Sequence, residues 1–98
     1  MSSVLLINAI PATGKEAELQ TYLGQILPIF ASYGARVLAR YKATEQAIGS
    51  GGPSLVATFE FPSETAIKEM LSGAEFNALN GLRAEVYQRL DLMICEPL

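Results

Sequence analysis

LVATFEFPSETAIKEM, residues 55–70, changes from a strand pattern to a helix pattern within two residues. Aliphatic, β-branched and aromatic residues predominate at positions 55–61, a composition typical of a β-strand. Pro62 ends that strand, and Ser63 is a residue type that caps helix N-termini. The residues that follow place apolar side chains on one helical face: Ala66, Ile67, Met70 and Leu71. The stretch therefore predicts a strand that leads directly into an amphipathic helix.

The chain upstream predicts a strand and a long helix. Residues 3–10 form a nearly continuous aliphatic run closed by a proline, which is typical of a strand buried on both faces. Thr13 followed by Glu16 has the spacing of a capping box, and apolar residues then recur at helical spacing as far as Gly34. We expect Pro28 to kink this helix, because its ring removes one backbone hydrogen bond.

The remaining segments predict two further strands and a second helical region. Residues 35–48 alternate with period two, which indicates a long strand that bends or bulges. The glycine-rich residues 49–53 predict a hairpin loop before the strand at 55–61. After an interruption at Ser72-Gly73, the apolar spacing over residues 76–87 predicts more helix, and residues 90–95 predict the last strand.

The order strand, helix, strand, strand, helix, strand is that of ferredoxin-like α+β folds, which place both helices on one face of an antiparallel sheet. Alternation predicts that a mainly apolar set faces the helices: Leu55, Ala57, Phe59, Phe61, Leu90, Leu92 and Ile94. The opposite face receives a mixed set: Thr58, Glu60, Asp91, Met93 and Cys95. We expect one domain over residues 1–98 that forms a homodimer, a dimeric α+β barrel, through this uncovered face.

Composition excludes several classes of protein. Seven Lys and Arg against ten Asp and Glu give a net charge of −3, without a basic run, so nucleic acid and membrane surfaces are not expected partners. The absence of histidine removes the commonest neutral-pH base and zinc ligand, and we expect no metal and no cofactor. Cys95 is the single cysteine, which fits a reduced, cytoplasmic protein and provides no activated nucleophile. Residues 4–10 are too short to span a bilayer.

Two motifs resemble a known family. Tyr33-Gly34-Ala35-Arg36-Val37-Leu38-Ala39-Arg40 and the strand ending Glu60-Phe61-Pro62-Ser63 are similar to stretches of the domain of unknown function 1330 family, as are residues 75–79 and Arg83. The resemblance implies ferredoxin-like subunits paired as dimeric α+β barrels. Two departures stand out: Ala35 replaces a usual second glycine, and Tyr41-Lys42 replaces glycines, which would make a cleft more crowded and more polar.

Arg40 and Glu60 are the leading candidates for a ligand site. In a hairpin they lie on neighbouring strands, where a guanidinium facing a carboxylate could hold an organic anion and supply a base. The alternative is a cross-strand ion pair that fixes register. Because alternate residues of a strand share a face of the sheet, we expect Lys42 on the same face as Arg40. Other candidates for ligand contacts are Asn8, Tyr33 and Arg83. Each has a structural alternative: Asn8 as a hydrogen-bonded amide in the core or an interface, Tyr33 as a side chain that packs over a helix end, and Arg83 as a solvated helix residue.

The sequence leaves three functions open. The first is a homodimer whose clefts bind a small organic, anionic ligand through Arg40 and Glu60. The second is a cofactor-independent enzyme, similar to monooxygenases or isomerases, with Glu60 as catalytic base and Arg40 stabilising an enolate. The third is a structural or interaction module whose cleft is filled by side chains.

Overall fold

The computed structural model describes residues 2–51 and 54–98, so Gly52 and Pro53 of the predicted hairpin loop lie outside the described residues. Strands and helices follow the predicted ferredoxin-like order, with the second helical region divided into three short helices. The elements are β1 (Ser3–Pro11), α1 (Glu16–Ser32), β2 (Arg36–Lys42), β3 (Leu55–Phe61), α2 (Glu64–Ser72), α3 (Ala74–Ala78), α4 (Asn80–Val86) and β4 (Tyr87–Cys95).

The four strands form one antiparallel sheet in the order β2-β3-β1-β4. β1 lies at the centre, where it pairs with β3 on one side and with β4 on the other. The helices pack on one face, and the molecule measures only 17 Å along its shortest axis. That thickness corresponds to one helix layer on one sheet, so no element of the described chain covers the opposite face, which we call the open face.

The core lies between the sheet and the helices. Phe61 and Leu5 from the sheet and Ile67, Met70 and Val86 from the helical side are fully buried. Phe30 of α1 meets the sheet edge-to-face, with its ring centroid 5.0 Å from that of Phe59 and 5.8 Å from that of Phe61. Of the predicted helix-facing set, Phe59 and Phe61 lie in this core and Ala57 and Leu92 pack against it, whereas Ile94 is exposed.

Two helix starts were predicted, and one of them is wrong. Ser63 caps α2 as predicted, since its Oγ accepts a hydrogen bond of 3.1 Å from the Ala66 N–H. Thr13 does not cap α1: the cap position is Lys15, without a side-chain hydrogen bond. Gly14 takes a left-handed φ of 79° and turns the chain there, which places Thr13 two residues before the cap position.

Strand and helix boundaries also differ from the predictions. β2 ends at Lys42 rather than at residue 48, and the last hydrogen bond beyond it runs from the Ala43 N–H to the Ser54 carbonyl at 2.7 Å. β4 begins at Tyr87 rather than at residue 90, because Tyr87 pairs with Pro11 of the central strand. Long-range pairing with β1 overrides the helical spacing of these residues.

Gly34 joins α1 to β2 in a conformation that no other residue adopts easily. Its φ is 84°, and a Cβ atom there would lie 2.7 Å from Cγ of Pro62. A side chain at this position would be strained and would also collide with the turn that ends β3. The glycine of the Tyr33-Gly34 motif is therefore required by the close approach of these two turns.

A β-bulge in β2 decides which side chains share a face. Val37 pairs with Phe59, but Ala39 pairs with Thr58, so Leu38 is an extra residue without its own partner on β3. The bulge therefore reverses which residues, odd-numbered or even-numbered, face the helices. Arg36 lies opposite Glu60 on the open face, and Arg40 lies opposite Ala57 on the helix-facing side.

Candidate functional site

A cavity of about 360 Å³ lies between α1 and the sheet. This volume is within the usual range for pockets that bind small molecules. Its wall is mostly apolar and is formed by α1 and by the helix-facing side of β1, β3 and β4. The apolar lining comprises Ile7, Ala9, Leu19, Leu23, Ile26, Leu27, Phe30, Leu55, Val56, Ala57, Phe59, Phe76, Leu90 and Leu92. A ligand that enters this cavity would transfer its carbon skeleton out of water.

Two cations stand at the β2 side of the cavity. Arg40 and Lys42 both line it, as alternate residues after the bulge, opposite Ala57 and Leu55. Within the described part of the chain, neither side chain has a carboxylate within ion-pair distance. Both side chains are exposed. This side of the cavity is therefore positively charged and has not been neutralised by the protein itself. Tyr41 also borders the cavity here, although its register places it on the open face.

Two tyrosines line the cavity towards β4, the edge strand opposite β2. Tyr22 of α1 and Tyr87 of β4 meet edge-to-face, with ring centroids 5.6 Å apart. Behind them, Nε of Arg83 donates a hydrogen bond of 2.9 Å to the Tyr22 hydroxyl oxygen. Nη2 of Arg83 donates to the Phe76 carbonyl at 2.8 Å, and its guanidinium carbon lies 3.7 Å from the centroid of the Phe76 ring. Arg83 thus anchors the wall at this end of the cavity.

Both phenols remain protonated at neutral pH. Burial raises the pKa of Tyr22, and the hydrogen bond from Arg83 opposes that effect without cancelling it. Burial, followed by the neighbouring Tyr22, raises the pKa of Tyr87 to about 12. A neutral phenol can donate a hydrogen bond, so this side of the cavity supplies donors where the β2 side supplies positive charge.

The structure does not bring Arg40 and Glu60 together, so their predicted pairing on one face is wrong. Oε1 of Glu60 accepts a hydrogen bond of 2.7 Å from Nε of Arg36, on the open face. Arg40 lies on the other face because the extra residue Leu38 reverses the alternation between them. The cross-strand ion pair considered as an alternative for Glu60 does exist, but its partner is Arg36.

The other predicted ligand residues have separate locations. Lys42 accompanies Arg40, as the parity argument predicted. Asn8 lies on the open face, paired with Val56 and Asp91 in the neighbouring strands. Tyr33 has its hydroxyl against Gly73, outside the cavity lining. Arg83 does not line the cavity but binds Tyr22, which does. The ligand-contact roles of Asn8, Tyr33 and Arg83 remain predictions without support from this geometry.

Tyr22 and Tyr87 were not among the predicted site residues. One sequence signal could have indicated Tyr22: it lies on the apolar face of α1, and a buried tyrosine hydroxyl needs a hydrogen-bond partner. The partner, Arg83, is 61 residues away, and only the tertiary fold reveals it. The assignment of residue 87 to a helix concealed its place at the start of β4.

Metal and membrane sites can be examined only over residues 2–51 and 54–98. That part of the chain contains no group of three His, Cys, Asp or Glu side chains that could hold a metal ion. It also contains no helix with the length and apolar character needed to cross a bilayer.

A ferredoxin-like α+β sheet with a cavity beneath its first helix defines the class of protein. The chain belongs to the family described as domain of unknown function (DUF1330), whose model matches residues 3–98. The sequence resemblance to this family is therefore confirmed. No curated protein matches the chain significantly.

Solved structures share this fold at low sequence identity. A protein of unknown function from Rhodopseudomonas palustris has a TM-score of 0.80 and 19% identity, over 99% of this chain and 83% of that one. An ethyl tert-butyl ether D (EthD) family protein from Bacillus halodurans has a TM-score of 0.69 and 17% identity, over 100% of both chains. An uncharacterised NIPSNAP domain protein from Burkholderia xenovorans has a TM-score of 0.65 and 16% identity, over 98% and 94%. These matches establish the fold.

Proposed function

We propose that this protein binds a small organic anion in the cavity between α1 and the sheet. The observation that carries the proposal is the combination of an apolar lining with two cations at one side, Arg40 and Lys42, that have no ion-pair partner in the described part of the chain. The carbon skeleton would lie against the apolar wall, and the acidic group would meet the cations. A carboxylate can accept two parallel hydrogen bonds from a guanidinium, which favours a carboxylate-like group at Arg40.

The alternative of a cofactor-independent enzyme has no support from the cavity. Its predicted base, Glu60, is engaged by Arg36 on the open face. Among the described residues, the cavity lining contains no carboxylate and no thiol. A base at hydrogen-bond distance from the ligand is the first requirement of that mechanism. We therefore assign the cavity a binding role.

We further propose that the protein is a homodimer whose two copies meet through their open faces. The four strands present a surface of roughly 20 Å by 25 Å, on the order of 500 Å² per copy, so two copies bury about 1,000 Å², the lower bound for a specific interface. The charged pairs Arg36–Glu60 and Arg89–Asp91 are neutralised within each copy. Between them, apolar residues such as Leu6, Val56 and Met93 occupy the middle of the face. A second copy of the same neutral, partly apolar surface is the occupant that this pattern favours.

Binding of 2-naphthoate tests the proposed anion site. We expect calorimetric titration to show that Arg40→Ala weakens naphthoate binding about tenfold and that adding Lys42→Ala weakens it further. A charge-assisted hydrogen bond contributes about 1.5–3 kcal/mol, the lower value applies to an exposed cation, and about 1.4 kcal/mol corresponds to a factor of ten.

Matched controls separate charge recognition from a loss of structure. Arg36→Ala removes an arginine of the same strand on the open face and should leave naphthoate affinity unchanged. The neutral probe 2-naphthalenemethanol should bind Arg40→Ala as well as it binds the unaltered protein. Equal naphthoate affinity in Arg40→Ala, Arg36→Ala and the unaltered protein would show that the proposed anion site is wrong.

A further inference from the structure

We propose that Tyr22 and Tyr87 form a hydrogen-bond-donor subsite at the β4 side of the cavity. This subsite selects planar organic anions that carry a carbonyl-type oxygen at the end remote from their acidic group. The inference rests on the proposed anion site at Arg40 and Lys42, and it adds a second polar requirement to the ligand.

The Tyr22 hydroxyl uses only its oxygen in the hydrogen bonds of the described residues. A guanidinium has donors only, so the Tyr22 oxygen must be the acceptor of the bond from Arg83. The hydroxyl hydrogen of Tyr22 therefore needs a different partner. Tyr22 is only 4% exposed, and its hydroxyl donates no hydrogen bond within residues 2–51 and 54–98. Because Tyr22 also lines the cavity, this hydrogen is available to an oxygen of a ligand bound there.

Tyr87 supplies a second donor in the same place. Its ring packs edge-to-face on that of Tyr22, and it lines the cavity as the first residue of β4. Its hydroxyl takes part in none of the side-chain hydrogen bonds among the described residues, including those of its neighbours Tyr22 and Arg83. The raised pKa of Tyr87 keeps its proton in place well above neutral pH. Two neighbouring phenols, both protonated, match the two lone pairs of one carbonyl oxygen.

The shape of the cavity indicates how the ligand lies. The cations are on β2 and Tyr87 is on β4, which are the two edge strands of the sheet. Three strand spacings, about 14 Å, separate these edges. The span that a ligand must cover is shorter, because the charge of Arg40 is close enough to Tyr87 to oppose the rise in the Tyr87 pKa that burial causes. Between them, on β1 and β3, the small side chains of Ala9 and Ala57 line the cavity. An elongated, flat skeleton laid across the strands fits between the two polar ends.

A matched pair of probes isolates the second subsite. The first probe is 6-acetyl-2-naphthoate, and the second is 6-isopropyl-2-naphthoate, which has a methyl group where the first has its carbonyl oxygen. We expect the unaltered protein to bind the acetyl probe at least fivefold more tightly than the isopropyl probe in calorimetric titrations. Tyr22→Phe and Tyr87→Phe should each reduce that ratio, and Tyr33→Phe, at a tyrosine outside the cavity, should not.

Each outcome distinguishes the subsite from the anion site. Arg40→Ala should weaken both probes by the same factor and preserve their ratio. Equal affinity of the unaltered protein for the two probes overturns the donor subsite and leaves the anion site standing. Absence of binding of either probe at millimolar concentration overturns the proposed function and the subsite together. Because the ratio in the unaltered protein is decisive, a folding defect in Tyr22→Phe cannot obscure the result.

Discussion

Replacing Phe61 by alanine is expected to lower the free energy of unfolding by about 3–5 kcal/mol, the usual cost of removing a buried aromatic ring. Phe61 is 0% exposed and packs edge-to-face on Phe30. Its neighbours come from the sheet and from the helices, so the site cannot collapse without moving one layer relative to the other. Since small domains have a total stability of about 5–15 kcal/mol, the loss is a large part of the whole.

Urea denaturation followed by circular dichroism measures this effect. Phe61→Leu keeps most of the apolar volume and should cost much less than Phe61→Ala. Ile48→Ala removes an apolar side chain that is 91% exposed and should change the stability by less than about 0.5 kcal/mol. A loss below about 1 kcal/mol in Phe61→Ala would contradict the packing of this core.

Leu6→Lys is expected to convert the proposed homodimer into monomers. Leu6 lies on the central strand, opposite Thr58 on one side and Met93 on the other, in the middle of the open face. In the dimer, a lysine there would be buried without a counter-charge, a change that costs several kcal/mol per ion and that occurs once in each copy. In the monomer the same lysine faces water, so the fold should be retained.

Sedimentation velocity over a range of protein concentrations measures the result. Ile48→Lys introduces the same charge at an exposed residue outside the open face and should leave the dimer intact. If the unaltered protein sediments as a monomer, the proposed homodimer is wrong. If Leu6→Lys remains dimeric, the two copies meet through a different surface.

The sequence predicted the topology because each strand and helix carries its own local signal. The strand at 55–61 and the cap at Ser63 were both found where the residues indicated them. The division of β3 and β4 into helix-facing and open-face sets was also predictable, since neither strand contains a bulge in those residues and period-two alternation holds. The errors in the elements lie at their boundaries: pairing with a distant strand decides the start of β4 at Tyr87, and the turn at Gly14 moves the start of α1 away from Thr13.

The candidate site was only partly predictable, and the two reasons are physical. Pairing Arg40 with Glu60 required a constant alternation along β2, and one unpaired residue, Leu38, was enough to put them on opposite faces. The prediction that Lys42 shares a face with Arg40 was correct, because no bulge lies between them. The Tyr22–Arg83 contact joins two helices that are distant in sequence, so no local pattern could identify that end of the cavity.

The extra residue in β2 also determines how this strand responds to changes in its length. A one-residue deletion within a regular strand moves all side chains on one side of the deletion to the opposite face. Deletion of Leu38 would instead leave the other side chains on their present faces, because Val37 and Ala39 already pair with successive residues of β3. Without Leu38 the strand would be flatter, Arg36 would still pair with Glu60, and Arg40 would still face the cavity. Length variation at this point of the strand is therefore compatible with an unchanged site.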